Sequence, residues 1–198
     1  MPDYVTQAAF DLYVRDKIGA TTATEAALLV ASLAAAEQAV NEYCVRNFVV
    51  VAVDAEATAR VFIPDGTQRL LIDDARAVTS VSVDSTAVDS TLYQLEPLNN
   101  LSASGAYRPY ERIFYLDSRW PISTRGKASV SVTARWGWAA VPAAVTEATK
   151  IIGKDIVQQR QTVGNLAAVG DIATSVRLNT YVRELLRPFI HPDRYGIA

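Results

Sequence analysis

The sequence predicts an α+β protein: a helical bundle core, built from two N-terminal helices and further C-terminal helices, with a β-rich insertion between the second and third helices. Three observations predict it. Apolar residues recur at helical spacing up to about residue 46, the period changes to two between Phe48 and Trp138, and helical spacing returns after Pro142. The expected division is 1–47 with 139–198 for the helical core and its tail, and 48–138 for the insertion.

Residues 7–18 form the first expected helix, with Thr6 placed to accept an orphan amide and Gly19 placed for a left-handed stop. Thr22 and Glu25 have capping-box spacing, so a second helix starts almost at once and continues to about Arg46. Leu29, Leu33, Ala36, Val40 and Tyr43 line one side of it. No charge falls between Glu25 and Glu37 on any side, the pattern of a helix buried all round, and its alanines let another backbone come close.

From residue 48 onward, "VVVAV" (49–53), "ARVFI" (59–63), "RLLID" (69–73), "VTSVSV" (78–83), "TLYQLE" (91–96) and "RIFYL" (112–116) are short strand candidates, with Asp65-Gly66 as a turn. The last strand is the clearest. Ala128, Val130, Val132, Ala134 and Trp136 alternate with Ser129, Ser131, Thr133 and Arg135, giving one apolar and one wet face.

The stretch "RWGWAAVPAAV" (135–145) then hands strand to helix with scarcely a turn. Pro142 fits the first turn, where its missing N–H costs nothing, and Val145, Ala148, Ile152 and Ile156 make the apolar face that follows. Trp136, Trp138 and Pro142 are expected to seal a seam between sheet and helix. Beyond an aperiodic loop at 162–174, a closing helix is expected after Asn179 and before Pro188, with Leu178, Val182, Leu185 and Phe189 on one side. The tail 187–198 contains two prolines and is expected to be extended. Its apolar load, Phe189, Ile190, Tyr195 and Ile197, serves either a partner surface or a return onto its own domain.

Composition narrows the function. With 198 residues, a net charge of −2 and a pI near 5.4, the chain has no strong pull on phosphate backbones or anionic lipid. A single cysteine, Cys44, permits no internal disulfide, and "MPDYVTQAAF" has no signal-peptide pattern, so an intracellular origin is expected. "AALLVASLAAA" is too short to span a bilayer, and no membrane partner is expected.

Catalytic chemistry is sparse. His191 is the only histidine and has no evident positioned partner. Cys44 reads as a buried structural thiol, and with one histidine no zinc cluster can be assembled from these two residue types. Asp73 and Asp74 are adjacent, so in a strand they point apart, and a strand-end turn is their expected role. "RGKAS" (125–129) lacks the spaced glycine of a phosphate loop, and "TVGNLAAVGD" follows a helix rather than a strand. Arg177, Arg183, Arg187 and Arg194 are too separated for a nucleic-acid stripe.

The order "VTQAAFDLYV", "AAEQAVNEYCVRNF", "VFIPDGTQRLLIDDARAVTSVSVDS", "YQLEPLN", "SRWP", "VSVTARWGWAAVPAAVTEATKIIGKDI" resembles the head-tail connector, or head completion adaptor, proteins of long-tailed double-stranded DNA phages. The resemblance covers nearly the whole chain and is most specific at "YCVRNF" and "RWGWAAVPAAV". It implies a non-enzymatic structural protein without cofactor or metal, assembled in the host cytoplasm and located at the head-tail junction of the virion. It also implies a twelve-fold ring under the portal protein that extends the channel for passing DNA and docks a tail or stopper protein. On this resemblance Leu29, Val30, Leu33, Ala34, Ala35 and Glu37 are the candidates for packing between subunits. Arg187, Phe189, Ile190, His191, Arg194, Tyr195 and Ile197 are the candidates for docking on the portal. The stretch "LNNLSASGAYRPY" (98–110) has no counterpart in that pattern. The alternative is a soluble binding module whose β insertion recognises a protein or carbohydrate.

Overall fold

The computed structural model describes residues 4–18, 23–101, 107–122, 129–164 and 179–191. These form α1 (Gln7–Ile18), α2 (Ala23–Cys44), β1 (Thr58–Phe62), β2 (Arg69–Val83), β3 (Thr86–Val88), β4 (Tyr93–Glu96), β5 (Tyr110–Tyr115), β6 (Val130–Trp136), α3 (Ala143–Gly164) and α4 (Thr180–Leu186). The chain divides into a helical unit, Met1–Asn47 with Val141–Ile197, and a sheet unit, Phe48–Ala140. Gly19, the Thr22 cap and residues 165–174 of the expected loop lie outside the described residues.

The expectation of a helical bundle core with a β insertion is corrected by this architecture. The protein is a sheet-rich α+β chain in which six antiparallel strands make one sheet, in the order β1-β6-β2-β5-β4, with β3 also paired to β2. The physical reason lies in β2. Residues 69–73 and 78–83, read separately from the sequence, are two ends of one 15-residue strand. Its first part pairs with β5 and its second with β6, and the register shifts between Leu71 and Ala75, between Ala75 and Ala77, and between Val78 and Ser80. Such irregularities bend a strand and move its side chains out of strict alternation, so a period-two reading stops where the strand does not. The segment "VVVAV", expected as a strand, contributes only an isolated bridge between Val50 and Trp138.

The sheet has its own core. Leu70, Ile72, Ala75, Val81, Ile113, Trp120, Val130, Val132 and Ala134 are buried together. In β6 the alternation is realised directly: Val130, Val132 and Ala134 are buried, while Ser131, Thr133 and Arg135 are half-buried. Trp120 closes the cluster from the connection after β5, its ring edge-on to Tyr115 at 4.9 Å and its indole N–H donating to the Ile113 carbonyl at 3.3 Å.

In the helical unit α2 packs on α3, and Leu29, Leu33, Ala36 and Val40 of the one and Val145, Ala148, Ile152 and Ile156 of the other are buried. From α1, Phe10 and Val14 complete this core. Near the middle of α3 a side chain has no room: a Cβ on Gly153 would lie 2.7 Å from Phe10 Cζ and 3.6 Å from Ala36 Cβ.

Both ends of the helical unit show local backbone chemistry. α4 starts directly after Asn179, whose side chain accepts the Val182 N–H at 2.8 Å. α2 ends with Val45 at φ +52° and the Arg46 N–H donating to the Asn41 carbonyl at 3.2 Å, a Schellman stop with valine where glycine is usual. A β-branched residue in that conformation costs roughly 1–2 kcal/mol. The tail expected to be extended from residue 187 is instead turned, with Arg187–Phe189 forming a 3-10 turn.

Replacing Gly153 by valine tests the close helix contact. Overpacking a core costs about 1–3 kcal/mol, more than the few tenths that helix propensity returns. Gly153→Val is expected to lower the urea midpoint with an unchanged slope, whereas an unchanged midpoint would show that Phe10 can move aside.

Candidate functional site

The tryptophan junction forms within the sheet unit from three close backbone approaches. Gly137 has φ +134°, and a Cβ there would stand 2.5 Å from the Val49 carbonyl oxygen. Glycine is needed because the chain at 49–51 runs against 137–138: Trp138 N–H donates to the Val49 carbonyl at 2.7 Å, and Val51 N–H donates to the Trp138 carbonyl at 2.9 Å. Gly137 N–H reaches the other way, to the Asp74 carbonyl at 2.7 Å.

The two tryptophans then do different things. Trp138 is fully buried beside Phe48, ring centroids 5.1 Å apart, and its indole N–H donates to the buried Asp74 carboxylate at 2.8 Å. Trp136 faces the edge strand. Its indole N–H donates to the Thr58 carbonyl at 2.8 Å, and the Arg60 guanidinium stacks 4.7 Å above its ring while pairing with Asp73 at 2.6 Å. Asp73 and Asp74 thus point apart, as adjacent strand residues do, but they lie inside β2 rather than in the expected strand-end turn. Pro142 belongs to the helical unit, where its carbonyl accepts the Val145 N–H at 2.9 Å in the first turn of α3.

The segment after Phe48 is braced from the same side. Arg76 donates to the Val51 carbonyl and Arg135 to the Val53 carbonyl. The Tyr107 hydroxyl donates to the Arg76 carbonyl at 2.6 Å, and burial first of all pushes its phenol up to about 12, so it remains a donor across the neutral range. The braced segment leaves Val49, Val50 and Val53 exposed. Val61 and Ile63, on and just beyond the edge strand β1, are exposed as well. Sequence reasoning missed these, because which strand lies at an edge depends on sheet order rather than on local pattern.

On α2 the sequence candidates separate. Leu29, Leu33 and Glu37, expected to meet another subunit, are buried in their own unit, and Glu37 accepts the Tyr4 backbone N–H at 2.8 Å. Tyr4 in turn brings its phenol within 2.6 Å of Asn41 Oδ1 and 2.8 Å of Asn47 Oδ1. The helix expected to be buried all round has an open side: Ala26, Ala27, Val30 and Ala31 are exposed, and Ala34 and Ala35 are half-buried. Farther along, Gln38 donates to Glu42 at 2.9 Å.

In the tail, Arg187 is exposed, Phe189 and Ile190 are half-buried and His191 is buried. The His191 backbone N–H donates to the Cys44 carbonyl at 2.8 Å. Arg194, Tyr195 and Ile197 lie outside the described residues. Cys44 is a buried free thiol. Among the described residues no group of three or more His, Cys, Asp or Glu side chains is placed to hold a metal ion, and no helix is long and apolar enough to cross a membrane.

No protein-family model and no curated protein matches the sequence. Among solved structures, a chain of "Neck of empty GTA particle computed with C6 symmetry" superposes with a TM-score of 0.51 at 19% identity, over 94% of this chain and 88% of that one. The chain has the fold of a particle neck protein. A chain of "Neck of native GTA particle computed with C12 symmetry" matches at a TM-score of 0.42 and 20% identity, over 96% of this chain and 94% of that one. The fold likeness to the first neck chain is not confined to one region, since the aligned share includes most of the chain.

Gly137→Ala tests the junction. The added methyl meets a backbone oxygen and the residue is strained at its φ, so the change is expected to cost about 1–3 kcal/mol and to lower the melting temperature. Native melting behaviour would mean that the 49–51 segment can leave Trp138 without loss.

Proposed function

We propose that this chain is a structural neck subunit of a phage-like particle: a head-tail connector that assembles as a ring of twelve copies beneath the portal protein. In this reading the ring continues the DNA channel, docks a tail or stopper protein, and forms in the host cytoplasm before becoming part of the virion. Its role is structural rather than enzymatic. The observation that carries the reading is the fold shared with a particle-neck chain over nearly the full length of both. That neck was computed with C6 symmetry, which supports copies repeated about an axis. The sequence resemblance to head-tail connectors points the same way.

A ring needs two different surfaces on each subunit, joined head to tail. The open side of α2, with Val30, Ala31, Ala34 and Ala35, is one of them: apolar, free of charge and lined with small side chains that allow close approach. The net charge of −2 suits a conduit, since a strongly cationic chain would hold DNA phosphates. Arg187, Phe189, Ile190 and the buried His191 are the described candidates for docking on the portal, and Arg194, Tyr195 and Ile197 are candidates on sequence alone.

Light scattering with negative-stain microscopy tests the assembly. The wild-type protein, alone or on portal-bearing heads, is expected to give rings of roughly twelve times the 21.5 kDa subunit mass. Ala31→Glu and Ala34→Glu are expected to leave 21.5 kDa monomers with a melting temperature within a few degrees of wild type. Rings that survive both changes would move the interface elsewhere, and a wild type that stays monomeric even on portal-bearing heads would sink the ring.

A further inference from the structure

We infer that the open edge of β1 is a strand-pairing surface for a second copy of this chain, the two copies meeting antiparallel about Val61. The inference is independent of the ring proposed above, whose copies meet through two different surfaces. It starts from where the backbone groups of the outer strands point. The Asp84 N–H donates to the Ser129 carbonyl at 2.8 Å, and this pair continues the register of Val83 with Val130. Backbone groups of successive residues in an antiparallel strand turn alternately to its two neighbours. Val130, Val132 and Ala134 therefore turn theirs toward β1, where they meet Phe62, Arg60 and Thr58. Ala59 and Val61 turn theirs away from the sheet, and among the described residues no backbone group bonds to them there.

The other edges are guarded, and this one is not. The Leu116 N–H donates to the Leu92 carbonyl at 2.9 Å, so the same alternation turns Tyr93 and Leu95 of β4 outward. Pro97, which has no N–H, comes next in that outward series. β3 is only three residues long. Short edges, prolines and free charges are the means by which sheets resist pairing. β1 lacks them: Arg60 is tied to Asp73 and Trp136, and Val61 and Ile63 are 69% and 59% exposed. Pro64 falls in the series that faces β6, and it holds Ile63 extended. The open series is thus Ala59, Val61 and Ile63, and it ends where Asp65 is bridged to Ile122.

The occupant follows from the register that this edge accepts. Outward-facing residues must oppose outward-facing residues, so alternative registers differ by two positions. With the axis at Val61, Val61 meets Val61 of the partner subunit, Ala59 meets the partner's Ile63, and Arg60 lies opposite the partner's Phe62. Every residue of the open series is then bonded, and apolar side chains oppose apolar ones. A shift one way sets Arg60 against the partner's Arg60, and like charges directly opposite repel. A shift the other way carries Ala59 to the partner's Asp65, which is already bridged. The edge is complementary to itself, and a two-fold contact of this kind closes after two copies. It is small beside stable interfaces, which bury about 1,200–2,000 Å², so the copies separate on dilution.

Cysteine cross-linking of the full chain tests the pairing, since the native Cys44 is buried. Opposed residues of a hydrogen-bonded pair have Cα atoms about 5.5 Å apart, within a disulfide's reach of about 4.4–6.8 Å. Under mild oxidation at high concentration, Val61→Cys is expected to give a linked species of twice the 21.5 kDa subunit mass. Ala59→Cys alone is expected to link about tenfold more slowly, because the two cysteines would stand roughly 14 Å apart. Ala59→Cys mixed with isotope-labelled Ile63→Cys is expected to link across the two proteins. A head-to-tail ring does not set Val61 against itself, so it cannot produce this pattern. No linkage of Val61→Cys, or linkage of Ala59→Cys as fast as Val61→Cys, would overturn the pairing. Self-linkage of Val61→Cys without the mixed product would overturn it as well.

Discussion

Backbone hydrogen bonding along one 15-residue strand governs the sheet unit. A central strand has donors and acceptors on both sides, and each must find a partner. β2 bonds to β5 along its first part and to β6 along its second, with β3 also paired at Val81–Val83, and the bulges between them re-aim the strand. Alternation along the strand sets Asp73 outward toward Arg60 and Asp74 inward toward Trp138. With the register of β2 in place, β6 brings Trp136 and Trp138 to the side where the segment after Phe48 can run against Gly137. The tryptophan junction is thus a consequence of how the central strand is paired, its two indole N–H groups bonding to the Thr58 carbonyl and the Asp74 carboxylate.

Some of this was legible because local chemistry decided it. The alternation of β6 survives intact because both its neighbours pair with it over most of its length. The apolar face of α3 and the Asn179 cap depend only on spacing along one helix. Other features depend on partners distant in sequence. The weight of the sheet was underestimated because bulges divide β2 into two apparent strands, and nothing local to residues 74–77 signals continuity. The absence of charge on α2 was consistent with burial on every side. Alanine is tolerated on an exposed face as well as a buried one, and only the placement of α3 and α1 settles which side is open. Glu37 was a candidate for meeting another subunit because its partner within the chain, the Tyr4 amide, lies 33 residues away. In the tail, Phe189 and Ile190 carry no mark of where they pack.

The neck reading and the fold belong to different levels of the chain. The fold is shared with a GTA neck chain at 19% identity, a level at which hydrophobic pattern and backbone needs persist while most surface residues differ. What makes a subunit of one assembly rather than another is carried by those surfaces. Among the described residues, apolar side chains stand exposed on the open side of α2, at the valines after Phe48 and on the outer edge at Val61 and Ile63, as well as at Leu98, Leu101 and Ile122.

The division of the chain also bears on how it is made. The sheet unit is continuous from Phe48 to Ala140, whereas the helical unit is assembled from both ends of the sequence. Thr146 donates its hydroxyl hydrogen to the Tyr4 carbonyl across 142 residues, and Phe10 meets Gly153. During synthesis the sheet can complete its pairing while α1 and α2 still lack α3. For that interval the apolar stripe of α2 has only α1 to cover it. A nascent chain of this design therefore exposes Leu29, Leu33 and Val40 longest, and its period of greatest vulnerability to aggregation ends only when the residues beyond Val141 leave the ribosome.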